Sequence, residues 1–294
     1  MIARGWFVNL YSRRGPGREY KDVVRVFVLG SGSSGNCLVV EAEGERLLVD
    51  AGMGPARAQA RMRELGADLI TSHAPLGVLV THDHGDHAAH ALPLARALRA
   101  PLIAHERAAL EPARHRLEVR AYVPGRPLTL GPFVVEALPV PHDAPQVAVR
   151  VAAGPYRFAV ATDLGHSTRD LRAFLGGCDL VLLESNYCGT LLENGPYPPH
   201  LKRRVGGPLG HLANEQAAEL AAALENTRVT RLVLVHVSRT NNWPERAFEV
   251  VATRAPRLDL EVLPDGVSRR FDMMGGNVIR GTKRRAEQLA FGFG

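Results

Sequence analysis

The chain contains no apolar run approaching the roughly 18 residues that a membrane-crossing helix needs. No apolar stretch of signal-peptide length follows the arginines near the N-terminus. Cysteine is scarce: Cys37, Cys178 and Cys188 are odd in number and share no paired spacing. A disulfide framework is therefore not expected, and the thiols are read as reduced. Together these absences predict a cytoplasmic chain with no membrane partner. The body also lacks net charge. Residues 1–23 and 276–294 each carry an excess of three positive charges, which accounts for the whole formal charge of +6, so residues 24–275 sum to zero. The basic character belongs to the two ends and says little about a folded body.

What is present is a globular composition, 46% hydrophobic and 22% charged over 294 residues. That length suffices for one large domain or two small ones with a packed core. The most informative stretch is residues 80–87. His82, His84, Asp86 and His87 place four metal-capable side chains within six residues, directly after the apolar run 76–80. The run reads as a buried strand, with the cluster on the loop at its C-terminal end. In extended chain His82 and His84 point the same way. Gly85 lets the backbone turn, so Asp86 and His87 can face a second point. The spacing suits two adjacent metals better than one. Imidazole with carboxylate suits zinc, manganese or iron rather than calcium.

Before this cluster, residues 24–29, 37–41 and 46–49 alternate as strands, and 55–65 reads as a helix closed by Gly66. The glycine-rich stretch 30–36 matches neither the P-loop nor the dinucleotide fingerprint, because a strand rather than a helix follows. It is either a tight turn or a cradle for phosphate. Asp50 ends a strand and, if buried, needs a partner; a ligand histidine is the candidate. After the cluster, 90–98 reads as a helix and 101–104 as a short strand. Residues 117–161 form a series of strands. His142 and Asp163 interrupt that apolar series at strand ends. Further on come a helix at 167–175, a strand at 179–183 closed by Glu184, and a basic segment at 197–204. His211 precedes an Ala-rich helix at 213–225, whose dipole is expected to lower its pKa. His236 closes a strand at 231–235, and strands at 259–263 and 267–271 end the body.

The candidate ligands are thus His82, His84, Asp86, His87, His142, Asp163 and His236, all at predicted strand ends. An early Asp, a His-x-His-x-Asp-His cluster, a later His, an Asp and a final His, in that order, resemble the metallo-β-lactamase superfamily. The resemblance covers about residues 24–272 and implies an α/β fold, an αββα sandwich of two mixed sheets flanked by helices. It implies that His82, His84 and His142 hold one divalent ion, that Asp86, His87 and His236 hold a second, and that Asp163 bridges them. The ions would be Zn2+ or Mn2+, with iron a further candidate. The motifs at 30–36, 161–165, 183–186, 197–204, 210–214 and 236–242 look like the bacterial YycJ/WalJ subfamily, associated with exonuclease activity on double-stranded DNA. Tyr187 and Ala213 depart from that pattern, where His and Ser are expected. The 73 residues from Asp163 to His236 are too few for the large inserted domain of the β-CASP nucleases.

The resemblance implies a metal-dependent phosphodiester hydrolase in which Asp86 is essential, His211 protonates the leaving oxygen and Glu184 orients His211. Ser33, Asn36, Lys202, Arg203, Arg204, Asn241 and Asn242 are the candidates for substrate contact. The nucleic acid is expected to be DNA rather than RNA. The alternatives are a ribonuclease, a hydrolase of small cyclic phosphodiesters, thioesters or lactones, and a non-catalytic binding protein.

Overall fold

A computed structural model describes residues 23–105 and 117–280 of the chain. Most of the two basic ends, and the segment around His115, lie outside the described residues. Two sheets face each other. The first has eight strands in the order β15-β14-β1-β2-β3-β4-β5-β6, and the second has seven in the order β13-β12-β11-β10-β9-β8-β7. In the first sheet β1 is Val24–Gly30, β2 Cys37–Ala42, β3 Glu45–Val49, β4 Val78–Val80, β5 Leu102–His105, β6 Val119–Tyr122, β14 Arg269–Met274 and β15 Asn277–Arg280. In the second, β7 is Leu128–Leu130, β8 Phe133–Val140, β9 Gln146–Ala153, β10 Tyr156–Ala161, β11 Leu180–Glu184, β12 Arg231–Val235 and β13 Asp259–Val262. Strand β15 pairs antiparallel with β14 and closes that edge of the sheet.

The period-two geometry of strands sorts the apolar residues into three layers. Val26, Val28, Val40, Phe133, Val149, Phe158, Leu182 and Val233 point between the sheets and form the central core. Their neighbours Phe27, Val39 and Leu48 point outwards, under helices α1 (Pro55–Glu64) and α3 (Ala91–Leu98). Ala159, Val181, Leu183 and Leu232 point outwards from the second sheet, under α4 (Arg169–Gly176), α7 (Asn214–Leu224) and α8 (Pro244–Arg254). Strands β11 and β12 are buried on both faces, which is why 180–183 and 232–235 read as unbroken apolar runs. Each large side chain so buried contributes about 1.5–3 kcal/mol. The result is the expected αββα sandwich. Among the described residues no helix is long and apolar enough to cross a membrane.

Three short helices were not anticipated: α2 (Gly85–Ala88), α5 (Gly189–Asn194) and α6 (Pro199–Val205). Gly85 does not make a left-handed turn; it opens α2, and that helical turn swings Asp86 and His87 away from His84. Helices α5 and α6 lie between β11 and α7, over a small apolar cluster of Tyr187, Leu192 and Val205 that is separate from the main cores. Tyr187 and Ala213, the two departures from the subfamily pattern, are paired in a parallel bridge at the base of this segment.

Ala213 is the N-cap residue of α7, in extended conformation (φ −68°, ψ 159°), and has no side-chain oxygen to offer the helix. Gln216 already reaches back to accept from the Ala213 backbone N–H at 2.9 Å, half of a capping box. Ala213→Ser should complete the box and add about 1 kcal/mol. In a body of this size the thermal midpoint should rise by about 2–4 °C, a shift readable by differential scanning calorimetry.

Candidate metal centre

The C-terminal ends of β3, β4, β10, β11 and β12 come together at one edge of the sandwich, where open α/β sheets place their ligands. Asp50 follows β3, His82 follows β4, Asp163 follows β10, Glu184 ends β11 and His236 follows β12. Asp50, Asp163 and His236 turn the chain sharply at these ends, with φ of 63°, 58° and 54°. Left-handed backbone is uncommon outside glycine and is concentrated at functional sites. The helix α2 loop is drawn in by backbone bonds: Asn36 N–H donates to Asp86 O at 2.7 Å, and Ala51 N–H to His87 O at 2.7 Å. Gly52 is required here, since a Cβ on it would lie 1.8 Å from Asp86 O.

The seven predicted ligands fall into two groups. His82, His84 and His142 each offer one atom to the first, and Asp86, His87, Asp163 and His236 to the second; within each group those atoms lie within 4.8 Å of one another. The donor chemistry fits cations. His142 Nδ1 donates to Gly210 O at 3.2 Å, which leaves its Nε2 lone pair 3.3 Å from His84 Nδ1. His82 Nε2 is buried without a hydrogen-bond partner. His87 Nδ1 donates to Asp50 Oδ2 at 2.7 Å, so its Nε2 lone pair faces Asp163 Oδ2 at 3.0 Å, an oxygen that accepts no hydrogen bond. His236 Nδ1 donates to Glu184 Oε1 at 2.9 Å, so its Nε2 faces Asp86 Oδ2 at 3.3 Å. Lone pairs aimed at each other across about 3 Å repel unless a cation stands between them.

Carboxylates set the imidazole orientations. Asp50 also accepts from the Thr81 backbone N–H at 2.8 Å and hydroxyl at 2.9 Å. Glu184 is fully buried and accepts four hydrogen bonds. Oε1 takes His236 Nδ1 and, at 2.8 Å, His211 Nδ1; Oε2 takes the backbone N–H groups of Leu164 at 2.9 Å and Leu212 at 3.1 Å. Both oxygens are thus committed, which makes Glu184 an orienting group rather than a ligand. That it holds His236 as well as His211 was not foreseen.

Without a metal the site attracts protons. Burial alone would lower the His87 pKa, but the charges of Asp50 and Asp163 overcome it and raise the pKa to about 10. His236 is likewise buried, yet Asp163, Asp86 and Glu184 lift it well above 6.5. In His82 burial wins, reinforced by His87, and the pKa falls to about 2. Asp86 is pulled down to about 2: burial raises it, but the hydrogen bond from His236 and the charge of His87 dominate. The expectation for His211 is corrected. Burial lowers its pKa, but contact with Glu184 outweighs this and raises it.

A cleft of about 380 Å³ opens over the ligands, and Asp86, Asp163, His211 and His236 are among the residues that line it. Of the seven candidates for substrate contact, Ser33 and Arg204 line this cleft. Asn36 does not face it as a binding group. It is buried, its Oδ1 accepts from Gly32 N–H at 2.8 Å, and its Nδ2 lies 2.8 Å from His87 Nε2. The glycine-rich loop is therefore a brace rather than a phosphate cradle. Ser31 extends the brace across both sheets, its hydroxyl accepting from His236 N–H at 3.1 Å. Asn241 and Asn242 are also buried, and Asn242 Nδ2 donates to Ser185 O at 3.0 Å and to Asn214 Oδ1 at 2.8 Å. Lys202 and Arg203 do not line the cleft, and Lys202 Nζ donates to Glu193 O at 2.6 Å. Sequence reasoning also missed Thr81, Asn186 and Asp143. Asp143 accepts from Arg204 Nε at 2.7 Å while its other oxygen lies 3.4 Å from His84 Nε2, linking the cleft rim to a ligand histidine.

Fold and site define a metal-dependent hydrolase of the metallo-β-lactamase type, and comparison with known proteins agrees. Residues 45–237 match the model of the beta-lactamase superfamily domain. The chain belongs to that superfamily. It is 31% identical over 244 residues to the exodeoxyribonuclease WalJ of Streptococcus pneumoniae, a match covering 80% of this chain and 89% of that protein. It is 32% identical to the exodeoxyribonuclease YycJ of Bacillus anthracis over 226 residues, 75% of this chain and 84% of that one. Among solved structures, YhfI from Bacillus subtilis superposes with a TM-score of 0.64 at 19% identity, covering 85% of this chain and all of that one. Zn2+-bound PqqB from Methylobacterium extorquens gives 0.64 at 20% identity, covering 83% and 99%.

Two outcomes are expected. The pKa values of His87 and His236 are both raised in the metal-free protein, so a bound ion competes with protons there. Metal affinity should rise with pH up to about 10, and calorimetry in buffers of differing ionisation enthalpy should detect proton release on binding; affinity independent of pH would contradict the assignment. Asp50→Asn should weaken metal binding about 10- to 100-fold, measured by competition with a chelating dye, with the far-UV circular dichroism unchanged.

Proposed function

We propose that the chain is a dinuclear metal-dependent exonuclease that removes nucleotides from double-stranded DNA in the cytoplasm. The observation that carries this reading is the floor of the cleft. Two ligand groups share one face, and a histidine that is not needed as a ligand, His211, stands beside them on its own carboxylate. The similarity to two proteins named exodeoxyribonucleases, over most of each chain, supports the choice of DNA.

His82, His84 and His142 would hold one ion, and Asp86, His87 and His236 the other. Asp163 suits the shared position, because its charge acts on His82 and His142 as well as on His87 and His236. Two divalent ions, when bound, supply Lewis acidity towards a phosphoryl oxygen and a nucleophile at neutral pH. The other steps belong to the chain. Glu184 fixes His211 through Nδ1, which leaves Nε2 as the ring nitrogen available to the cleft. A protonated His211 can then donate to the leaving oxygen of a phosphodiester. Arg204, on the rim, can release Asp143 and take a phosphate oxygen in its place.

The first test is incubation of Mn2+-loaded protein with end-labelled duplex DNA and with matched RNA. Metal-dependent trimming of DNA from one end is expected, with no trimming by Asp86→Ala. Preference for RNA would make it a ribonuclease; cleavage of neither, with metals confirmed bound, would transfer the reading to a small ester. His211→Gln should keep its metal content and lose about 10²- to 10⁴-fold in kcat. Wild-type kcat in that variant would remove His211 from the reaction.

A further inference from the structure

The segment between β11 and α7 forms one wall of the cleft and carries an aromatic residue for which the reaction has no use. Tyr197 precedes α6. It packs against the small apolar cluster of Tyr187, Leu192 and Val205, and it also lines the cleft together with Arg204 and Val205. Tyr197 is thus half-buried, packed against the cluster on one side and reaching the cleft wall on another. No hydrogen bond of its hydroxyl is found among the described residues, so packing alone holds it.

The cleft is small. Its 380 Å³ lies at the lower end of the about 300–1,000 Å³ typical of sites for single small ligands. A cleft of this size suits one nucleotide better than a base pair, so a terminal nucleotide that leaves its stack can bring its phosphodiester to the ligand floor. Leaving the stack costs the stacking contact, and an aromatic face at the cleft wall can restore it. Such a face accepts any base, because every base has a π-surface. We propose that Tyr197 is the platform on which the terminal base of the DNA strand stacks once it has left the duplex. This inference rests on the nuclease reading above. It deepens that reading by naming the part of the substrate that the α5–α6 wall recognises, the base rather than the phosphate. It makes trimming tolerant of sequence, and faster at A·T ends, which fray more readily than G·C ends.

The experiment measures steady-state trimming by metal-loaded protein of two duplexes, one ending in an ordinary nucleotide and one in an abasic nucleotide. Wild type is compared with Tyr197→Phe and Tyr197→Leu; leucine keeps the apolar packing and removes the π-face. On the ordinary end Tyr197→Leu should lose about 5- to 150-fold in kcat/KM. The loss should fall on KM, because stacking holds ground state and transition state alike. Tyr197→Phe should retain activity. On the abasic end all three proteins should perform equally. Equal loss by Tyr197→Leu on both ends would make Tyr197 a prop for the wall and overturn the inference. So would an undiminished Tyr197→Leu, or a Tyr197→Phe as weak as the leucine variant. Wild-type protein that trims neither duplex overturns the nuclease reading, and this inference with it.

Discussion

Negative charge buried without a lysine or arginine partner is the constraint on which this structure turns. Asp50, Asp163 and Glu184 are all at most 2% exposed. Among the described residues none of them meets a lysine or arginine; they face imidazoles instead. A buried carboxylate needs compensation that backbone N–H groups give only in part. Asp50 beneath His87 and Glu184 beneath His236 repeat one device on the two sheets. Each fixes a ring through Nδ1 and turns Nε2 towards the same small volume. The arrangement closes only around positive charge, and protons on His87 and His236 serve until cations arrive.

The rest of the edge keeps that volume in shape. The loop 30–36 contributes few side chains to the cleft and much rigidity. Asn36 and Ser31 tie a ligand from the first sheet to a ligand backbone from the second, so neither half can drift. Within the second sheet, Asn242 and Asn214 tie the loop after β12 and the start of α7 to Ser185, beside Glu184. These asparagines spend their amides on the protein, which is why they make poor substrate contacts.

The candidate metal ligands were legible in the sequence because the chemistry compresses them. Four donors crowded into six residues would repel or stay solvated without a cation to share, and His142, Asp163 and His236 stand out as polar residues that end apolar strands. The strands were legible for a related reason: burial on one face or two writes period two or a continuous run. What stayed hidden has a physical reason in each case. Asn36 and Asn242 look alike in sequence whether they meet a phosphate or a carbonyl, and only burial separates the two. Helices α5 and α6 are six and seven residues long, too short to show a period, and rest on a local cluster rather than on a main core. Thr81 was passed over beside its conspicuous neighbour His82, although its hydroxyl is what completes the hydrogen bonding of Asp50.

Strand order has a consequence for how the molecule is made. Strand β1 lies between β2 and β14, so the first described strand is flanked by nearly the last. During synthesis the donors are all present once His236 has emerged, yet β1 keeps a bare edge until residues 269–274 follow. An unpaired edge rich in valine is a template for wrong partners. A growing chain that already holds all the candidate ligands is thus still open to aggregation along Val24–Gly30, because the strand that protects that edge is translated after the last of them.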